Sequence, residues 1–479
     1  MNEYVLLMMV FGVIVSFPNW RLGMLVCILT GFLADPARKL MTDQPVYMAV
    51  IVGVIFATVI LSFIFRNGLI DLGKIHFWRN ALSKPFHIFL LWLLYEAIVS
   101  LLNYQNPMIA AIGMLSYLGP FPAFIIGYYY GLRAQDMQRF MKIYISVAVL
   151  MVSGIYLSYY GVDWAVLKEI SRGVPMYSPY TISGYLNAYP GFYRSTEGAA
   201  WHINTTVCFI IILAVSRKLS WPKLVVAAVI ILLVGAGMMT GRRKLLVEIL
   251  NFVCLYTAIL FYFRHGAGRL AGISLLIVAL VAGGITFGGY GNLSDIDEQY
   301  RPYIYRGMTV FGEIDERFHL SGVRMVEWAL DRYGLLGGGL GVASQGTQHF
   351  GGGASVFGGS GEGGLGKIVA ELGVPGLLII IWMMGSIFSY SWKMMKIVSK
   401  YKSPLTPLFY GLFSFLCVNI LSFIIATQIY GDMFVLLILG WVVGFFAALA
   451  QVIITTGKVH AETVKKGAIH VNKSVLHMI

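Results

Sequence analysis

Charge is what this sequence has least of. Only 12% of its 479 residues are Asp, Glu, Lys or Arg, against roughly 25% in water-soluble domains. So little polar surface cannot cover a folded chain of this size in water. A soluble enzyme or soluble binding module is excluded, and the solvent must be mostly lipid. Cysteine is also scarce. Cys27, Cys208, Cys254 and Cys417 all fall inside apolar runs, where a thiol packs as a small core residue. None is spaced as CxxC or as a metal-ligand set, so neither a disulfide framework nor a metal site is expected. A cleavable signal is missing too: the first apolar stretch follows Met1-Asn2-Glu3 without a basic leader or a small-residue cleavage site, and it reads as a first membrane helix.

What is present is apolar length. Hydrophobic residues make up 58% of the chain, and the mean hydropathy is +0.76. The runs are continuous rather than alternating, which favours helices over a barrel, because a helix satisfies its own backbone hydrogen bonds inside hydrocarbon. The expected fold is an all-α, polytopic transmembrane helix bundle of about 12–13 spans. The runs lie near 3–17, 22–34, 45–65, 86–102, 108–131, 138–160, 198–215, 222–239, 244–263, 269–289, 366–390, 405–427 and 432–454. They divide the chain into an N-terminal bundle over 1–289 with a loop at 161–197, a large loop at 290–365, C-terminal helices over 366–454 and a tail over 455–479. No internal repeat of the kind many transporters carry is visible.

The net charge of +13 would suggest nucleic acid in a soluble protein. Here it reads as positive-inside bias and contact with anionic membrane lipids, and no nucleic-acid partner is expected. Taking the tail with Lys458, Lys465, Lys466 and Lys473 as cytoplasmic, alternate loops collect further cations. They are Lys393 to Lys402, Arg264 with Arg269, Arg217 to Lys223, Arg133 to Lys142, and Arg66 to Lys84. Both long loops then lie outside. Within the second, Leu320–Arg332 has the spacing of an amphipathic helix that could lie on the membrane surface.

One turn breaks that rule. Thr240-Gly241-Arg242-Arg243-Lys244 places three cations between two apolar helices on the outer side. Either side chains snorkel at a helix end or a span is miscounted, or the turn is an anion site, since arginine forks match phosphate oxygens and a helix N-terminus follows. Arg194 sits at the same level in Tyr193-Arg194-Ser195-Thr196-Glu197-Gly198 and could supply a second prong of a pyrophosphate clamp. His202 reads as a satisfied core histidine rather than a base. A third stretch runs from Arg324 through Gly337-Gly338-Gly339-Leu340-Gly341 and a glycine-rich segment to Glu362 and Glu371. Its backbone N–H groups could cradle phosphate, or it could be a flexible loop. It lacks the Lys-Ser/Thr of a nucleotide P-loop.

The order of these elements resembles the O-antigen ligase and O-antigen polymerase superfamily, GT-C-like membrane glycosyltransferases of bacterial polysaccharide assembly. Arg194 resembles the arginine that opens the family's central helix. Thr240-Gly241-Arg242-Arg243 resembles its Thr-x-Ser-Arg turn, with Arg243 on the family arginine and Arg242 replacing the serine. Arg324 and Trp328 resemble the start of its large loop, Gly337 to Gly341 its glycine motif, and Glu371-Leu372-Gly373 its closing Glu-x-Gly. The likeness covers roughly residues 190–380. One position departs: where the family has histidine, nine residues before Glu371, this chain has Glu362, and the nearest histidine is His349. Either could be the catalytic base.

The resemblance implies a metal-independent, inverting transferase without a cofactor, in the bacterial inner membrane with its site facing outward. Its donor would be a polyprenyl-pyrophosphate-linked glycan, and chain-length regulators or export proteins would be its protein partners. Arg194, Arg243, Arg242 and Lys244 would hold the pyrophosphate, with Arg324 and Glu371 in the substrate loop. It implies a polymerase of repeat units, with a ligase of finished glycan as the alternative. A transporter or flippase of lipid-linked sugars competes from another class. That reading needs charge at broken helices near the bilayer midplane; Glu96 and Glu248 are the main intramembrane acids, but the charged residues cluster at one membrane face and its loops.

Overall fold

A computed structural model describes residues 3–41, 48, 51–170, 176–177, 185–265, 302–303, 319–344, 347, 363–401 and 403–476. Helices dominate. Among the described residues the one β pairing is a two-residue antiparallel ladder of Met176–Tyr177 with Tyr185–Leu186. In chain order the helices are α1 (Glu3–Ser16), α2 (Trp20–Lys39), α3 (Ile51–Asn67), α4 (Ser83–Tyr104), α5 (Pro107–Leu118), α6 (Pro120–Gly131) and α7 (Ala134–Tyr159). There follow α8 (Thr196–Val215), α9 (Lys223–Met239), α10 (Lys244–Tyr262), α11 (Arg324–Tyr333), α12 (Gly364–Val398), α13 (Thr406–Ile425) and α14 (Met433–Leu476).

Twelve of the thirteen expected spans coincide with these helices, α5 and α6 together making one; the span expected at 269–289 lies outside the described residues. Among the described residues nine helices are long and apolar enough to cross a membrane, and three shorter apolar helices accompany them. The chain is thus a multi-pass membrane protein. The helix that carries the tail continues unbroken to Leu476.

Local chemistry sets the helix ends. Asn19, Asn106 and Ser195 accept backbone N–H bonds at the starts of α2, α5 and α8. Pro107 and Pro407 occupy first-turn positions, where no N–H is needed. Pro120 interrupts one span and leaves it as α5 and α6. In α12 the chain kinks at Gly373, whose φ of +65° suits glycine, with Pro375 just beyond.

Contacts between loops sort the helix ends into two groups. At one end Arg21 bonds Asp136 and the carbonyls of Tyr129 and Tyr130, and His265 meets the Ser399 carbonyl. This end gathers the basic loops. The other end gathers the C-termini of α2, α4, α7, α9 and α13 and the N-termini of α8, α10, α12 and α14. The core helix is α8, 94% buried along its apolar window. It packs against α7, α9, α10 and α13. Leu91, Leu102, Leu150, Leu224, Leu378 and Ile381 are exposed on the outer helices, as a lipid-facing surface requires. Cys27 and Cys208 are buried, but Cys254 is exposed: it stands on the outward face of α10, so burial within an apolar run does not hold for it.

Candidate functional site

The site is built on the start of α8. Ser195 caps the helix by accepting from the Gly198 N–H at 3.2 Å, and Glu197 places a carboxylate in the first turn, where the helix dipole favours it. The turn between α9 and α10 comes alongside. Thr240 Oγ1 donates to the Gly237 carbonyl at 2.6 Å and accepts from the Arg242 N–H at 3.3 Å, which fixes the direction of the cations that follow. Arg242 Nε then donates to Thr196 Oγ1 at 3.0 Å, and its Nη1 pairs with Glu197 Oε1 at 2.7 Å. Lys244 takes the other oxygen of Glu197. Arg243 lies between the two, half-buried.

Arg194 faces a second carboxylate. Its Nη2 lies 2.7 Å from Asp432 Oδ2, and its backbone N–H donates to Asp35 Oδ2 at 3.0 Å. The charge of Asp432 raises the Arg194 pKa above its ordinary value, against the opposing effect of burial. Arg38, one turn on from Asp35, lies within electrostatic reach of Arg194 and Asp432. Lys39 donates to the Gly191 carbonyl at 2.7 Å. Glu169 closes the ring by accepting from the Thr196 N–H at 3.3 Å. Burial pushes the Glu169 carboxyl up, with Glu197 adding to it, while the Thr196 N–H, Arg242 and Lys39 pull it down.

Residues from α2, the 161–197 loop, α8, the α9–α10 turn and the start of α14 thus meet at one end of the bundle. Six cations, Arg38, Lys39, Arg194, Arg242, Arg243 and Lys244, stand with four carboxylates, Asp35, Glu169, Glu197 and Asp432. The excess is cationic. Such a ring can hold an anion bearing more than one negative charge, provided its own carboxylates share or yield their partners.

Beneath it lies a buried polar layer. Glu248 accepts from Asn204 at 2.8 Å and from Ser422, Trp201 donates to Asn419 at 2.9 Å, and Tyr430 bonds Asn419. His202 shares a 2.6 Å hydrogen bond with Tyr144 and stacks on Tyr193. It is buried and satisfied within the core.

Arg324 and Glu371 belong to a separate assembly on α4, α11 and α12. Arg324 is exposed at the start of α11, and α11 docks on α12 through Ala329 and Val369. The glycine turn is locked in place. The N–H groups of Gly338 and Leu340 donate to the carbonyls of Ala370 and Glu96, and Ser100 Oγ donates to the Leu340 carbonyl. Gly341 takes a φ of +89°, and a Cβ there would come 2.1 Å from the Ile109 carbonyl oxygen. Glu371, fully buried, accepts from the Ala343 N–H at 3.1 Å. These N–H groups are therefore spent on protein acceptors and do not form a phosphate cradle, and this part of the stretch is a fitted turn rather than a flexible loop. His349 and Glu362 lie outside the described residues.

Sequence reading alone did not find the carboxylates Asp35, Glu169 and Asp432, or the role of Arg38 and Lys39. A signal existed: charge is rare here, and these residues stand at apolar helix ends that alternation assigns to one side. No family model matches the chain, and no curated protein matches it either.

Proposed function

We propose that this protein is a membrane glycosyltransferase that polymerises oligosaccharide units carried on a polyprenyl pyrophosphate, at the outer face of a bacterial plasma membrane. The observation that carries this reading is the meeting of Arg194, Arg242 and Lys244 around Glu197 and Asp432, at the bundle end opposite the basic loops. By the positive-inside rule the basic loops are cytoplasmic and the ring faces outward. A lipid-tailed pyrophosphate at that level keeps its chain in the bilayer and its charge among the guanidiniums.

In the reaction the acceptor hydroxyl oxygen attacks the anomeric carbon, the bond from that carbon to the pyrophosphate oxygen breaks, and the electron pair leaves with the pyrophosphate. Protein cations stabilise the developing charge. A carboxylate or imidazole takes the hydroxyl proton, a role for Glu362 or His349. The glutamate in the histidine position of the resembled family favours chain lengthening over ligation. A transporter is less well supported: Glu248 stands about 6 Å into α10, and Glu96 about 12 Å from the end of α4. Glu248 falls well short of the midplane of a core about 30 Å thick, and Glu96, nearer to it, stands within a continuous helix rather than at a broken one.

The test is transfer by the purified protein with lipid-linked repeat units and a chelator present. Longer chains should form, and Arg242→Ala and Arg194→Ala should lose at least a hundredfold in rate while still eluting as folded protein. Undiminished elongation by both variants would overturn the proposal.

A further inference from the structure

At the basic end, away from the ring of cations, a cavity of about 1160 Å³ opens between the second half of α12, the helical turn Trp78–Leu82 and the second half of α14. Its walls are graded. Along α12 the lining runs from Trp382 through Lys393 to Ile397, with Tyr401 just beyond, and along α14 from Ala447 to Lys458. From Trp382 to Lys393, and from Ala447 to Lys458, is eleven residue steps, about 16 Å of helix. Trp382, Ala447 and Ala450 line the deep end, Ser386, Ser389 and Tyr390 follow on α12, and Lys393 and Lys458 bring the charge toward the basic loops. His76 joins the two lysines there, with Arg79 at 3.4 Å from its ring. Among the described residues no Asp or Glu lines the cavity. Lys393, Lys458 and His76 are exposed, so their charge is available to a ligand.

From this gradient we propose that the cavity is a binding site for one anionic phospholipid of the leaflet at the basic end. The depth of about 16 Å is about half of the roughly 30 Å hydrocarbon core, so one acyl chain fits between the helices with its end at Trp382, Ala447 and Ala450 while its phosphate lies at the lysines. A zwitterionic headgroup gains less there, because its own cation meets Lys393 and Lys458, and an uncharged one brings no anion. Each lysine near the surface favours an anionic lipid, and two together correspond to about thirtyfold in binding. The site is independent of glycosyl transfer.

The experiment uses the full chain purified in detergent and reconstituted into vesicles of equal phosphatidylglycerol and phosphatidylcholine, re-extracted, and weighed intact by native mass spectrometry. Wild type should retain one phosphatidylglycerol at about thirtyfold enrichment. Lys393→Glu with Lys458→Glu should bring the ratio near one, while Lys142→Glu, at the same end but off the cavity, should leave it unchanged. Gly385→Leu supplies a variant that keeps every charge: a Cβ there meets nothing within 4 Å, and leucine favours helix, so the protein should fold and the bound lipid should fall severalfold. Equal retention of both lipids by wild type, enrichment that survives the double charge reversal, or a retained polyprenyl phosphate in place of a phospholipid would overturn the proposal.

Discussion

Asp432 holds Arg194 with one carboxylate oxygen and the start of α14 with the other. Oδ2 lies 2.7 Å from the arginine Nη2, and Oδ1 accepts from the N–H groups of Phe434 and Val435 at 2.7 and 3.2 Å. The last span and the core helix are therefore tied through one side chain. Asp432→Asn keeps a capping oxygen and loses the ion pair, whereas Asp432→Ala loses both. The pair is only partly exposed, 24% and 18%, so the asparagine variant should lose about 1.5–3 kcal/mol. The alanine variant should lose about 1 kcal/mol more. Thermal unfolding in detergent measures both. Equal stability of the two variants would show that Oδ1 does not cap.

Glu197 binds two cations, Arg242 and Lys244. If pyrophosphate takes those cations during the reaction, Glu197 competes with it. Glu197→Gln should tighten binding of a short-chain polyprenyl pyrophosphate several-fold, at some loss of stability, and should not resemble Arg242→Ala, which should weaken binding. Calorimetric titration separates the two. Weaker binding in Glu197→Gln would mean that the carboxylate positions the cations rather than competing for them.

The spans were legible in the sequence because hydrocarbon leaves a helix one solution, and thirteen apolar runs, some of them short, announce it. The cations at 242–244 were legible because they broke the charge rule of the named loops, and Arg194 because it stands at the top of an apolar helix on the same face. Their partners were not. Asp35 and Asp432 lie in different helices, and no periodicity connects the end of α2 with the start of α14. The glycine stretch misled for another reason. Glycine marks close backbone approach as well as anion binding, and only the position of Ile109 and the Glu96 carbonyl decides that Gly337 to Gly341 packs against α4 and α5.

That packing carries its own test. Gly341→Ala puts a Cβ 2.1 Å from the Ile109 carbonyl oxygen at a φ of +89°, and neither backbone can yield cheaply. It should cost several kcal/mol, about 3 or more, and strongly reduce the yield of folded protein. Gly385→Ala, in the open interior of α12, should instead gain about 0.5–1 kcal/mol. Thermal shifts of the pair decide, and a tolerated Gly341→Ala would mean the turn is not fitted.

Glu96 is fully buried, and among the described residues neither of its carboxylate oxygens has a hydrogen-bond partner. Its backbone carbonyl, not its side chain, receives the glycine turn. A buried polar group without a partner costs about 1–3 kcal/mol, so Glu96→Leu should raise the melting temperature and leave the turn intact. Lost elongation with no gain in stability would assign the carboxyl to the reaction instead.

Glu169 gives the ring a pH dependence. Burial holds its carboxyl above the ordinary value of 4.5 in the folded protein. Below that value it is protonated both folded and unfolded and contributes no slope. As pH rises through 4.5 the unfolded chain releases the proton first, so the folded state holds more protons and loses stability until its own carboxyl titrates. Glu169→Gln removes this step while keeping an oxygen to accept from the Thr196 N–H. Its melting temperature should therefore fall less than that of wild type between pH 4.5 and the point where folded Glu169 ionises, and coincide with it in shape below pH 4. Parallel curves over the whole range would show that the Thr196 N–H, Arg242 and Lys39 cancel burial at this carboxyl.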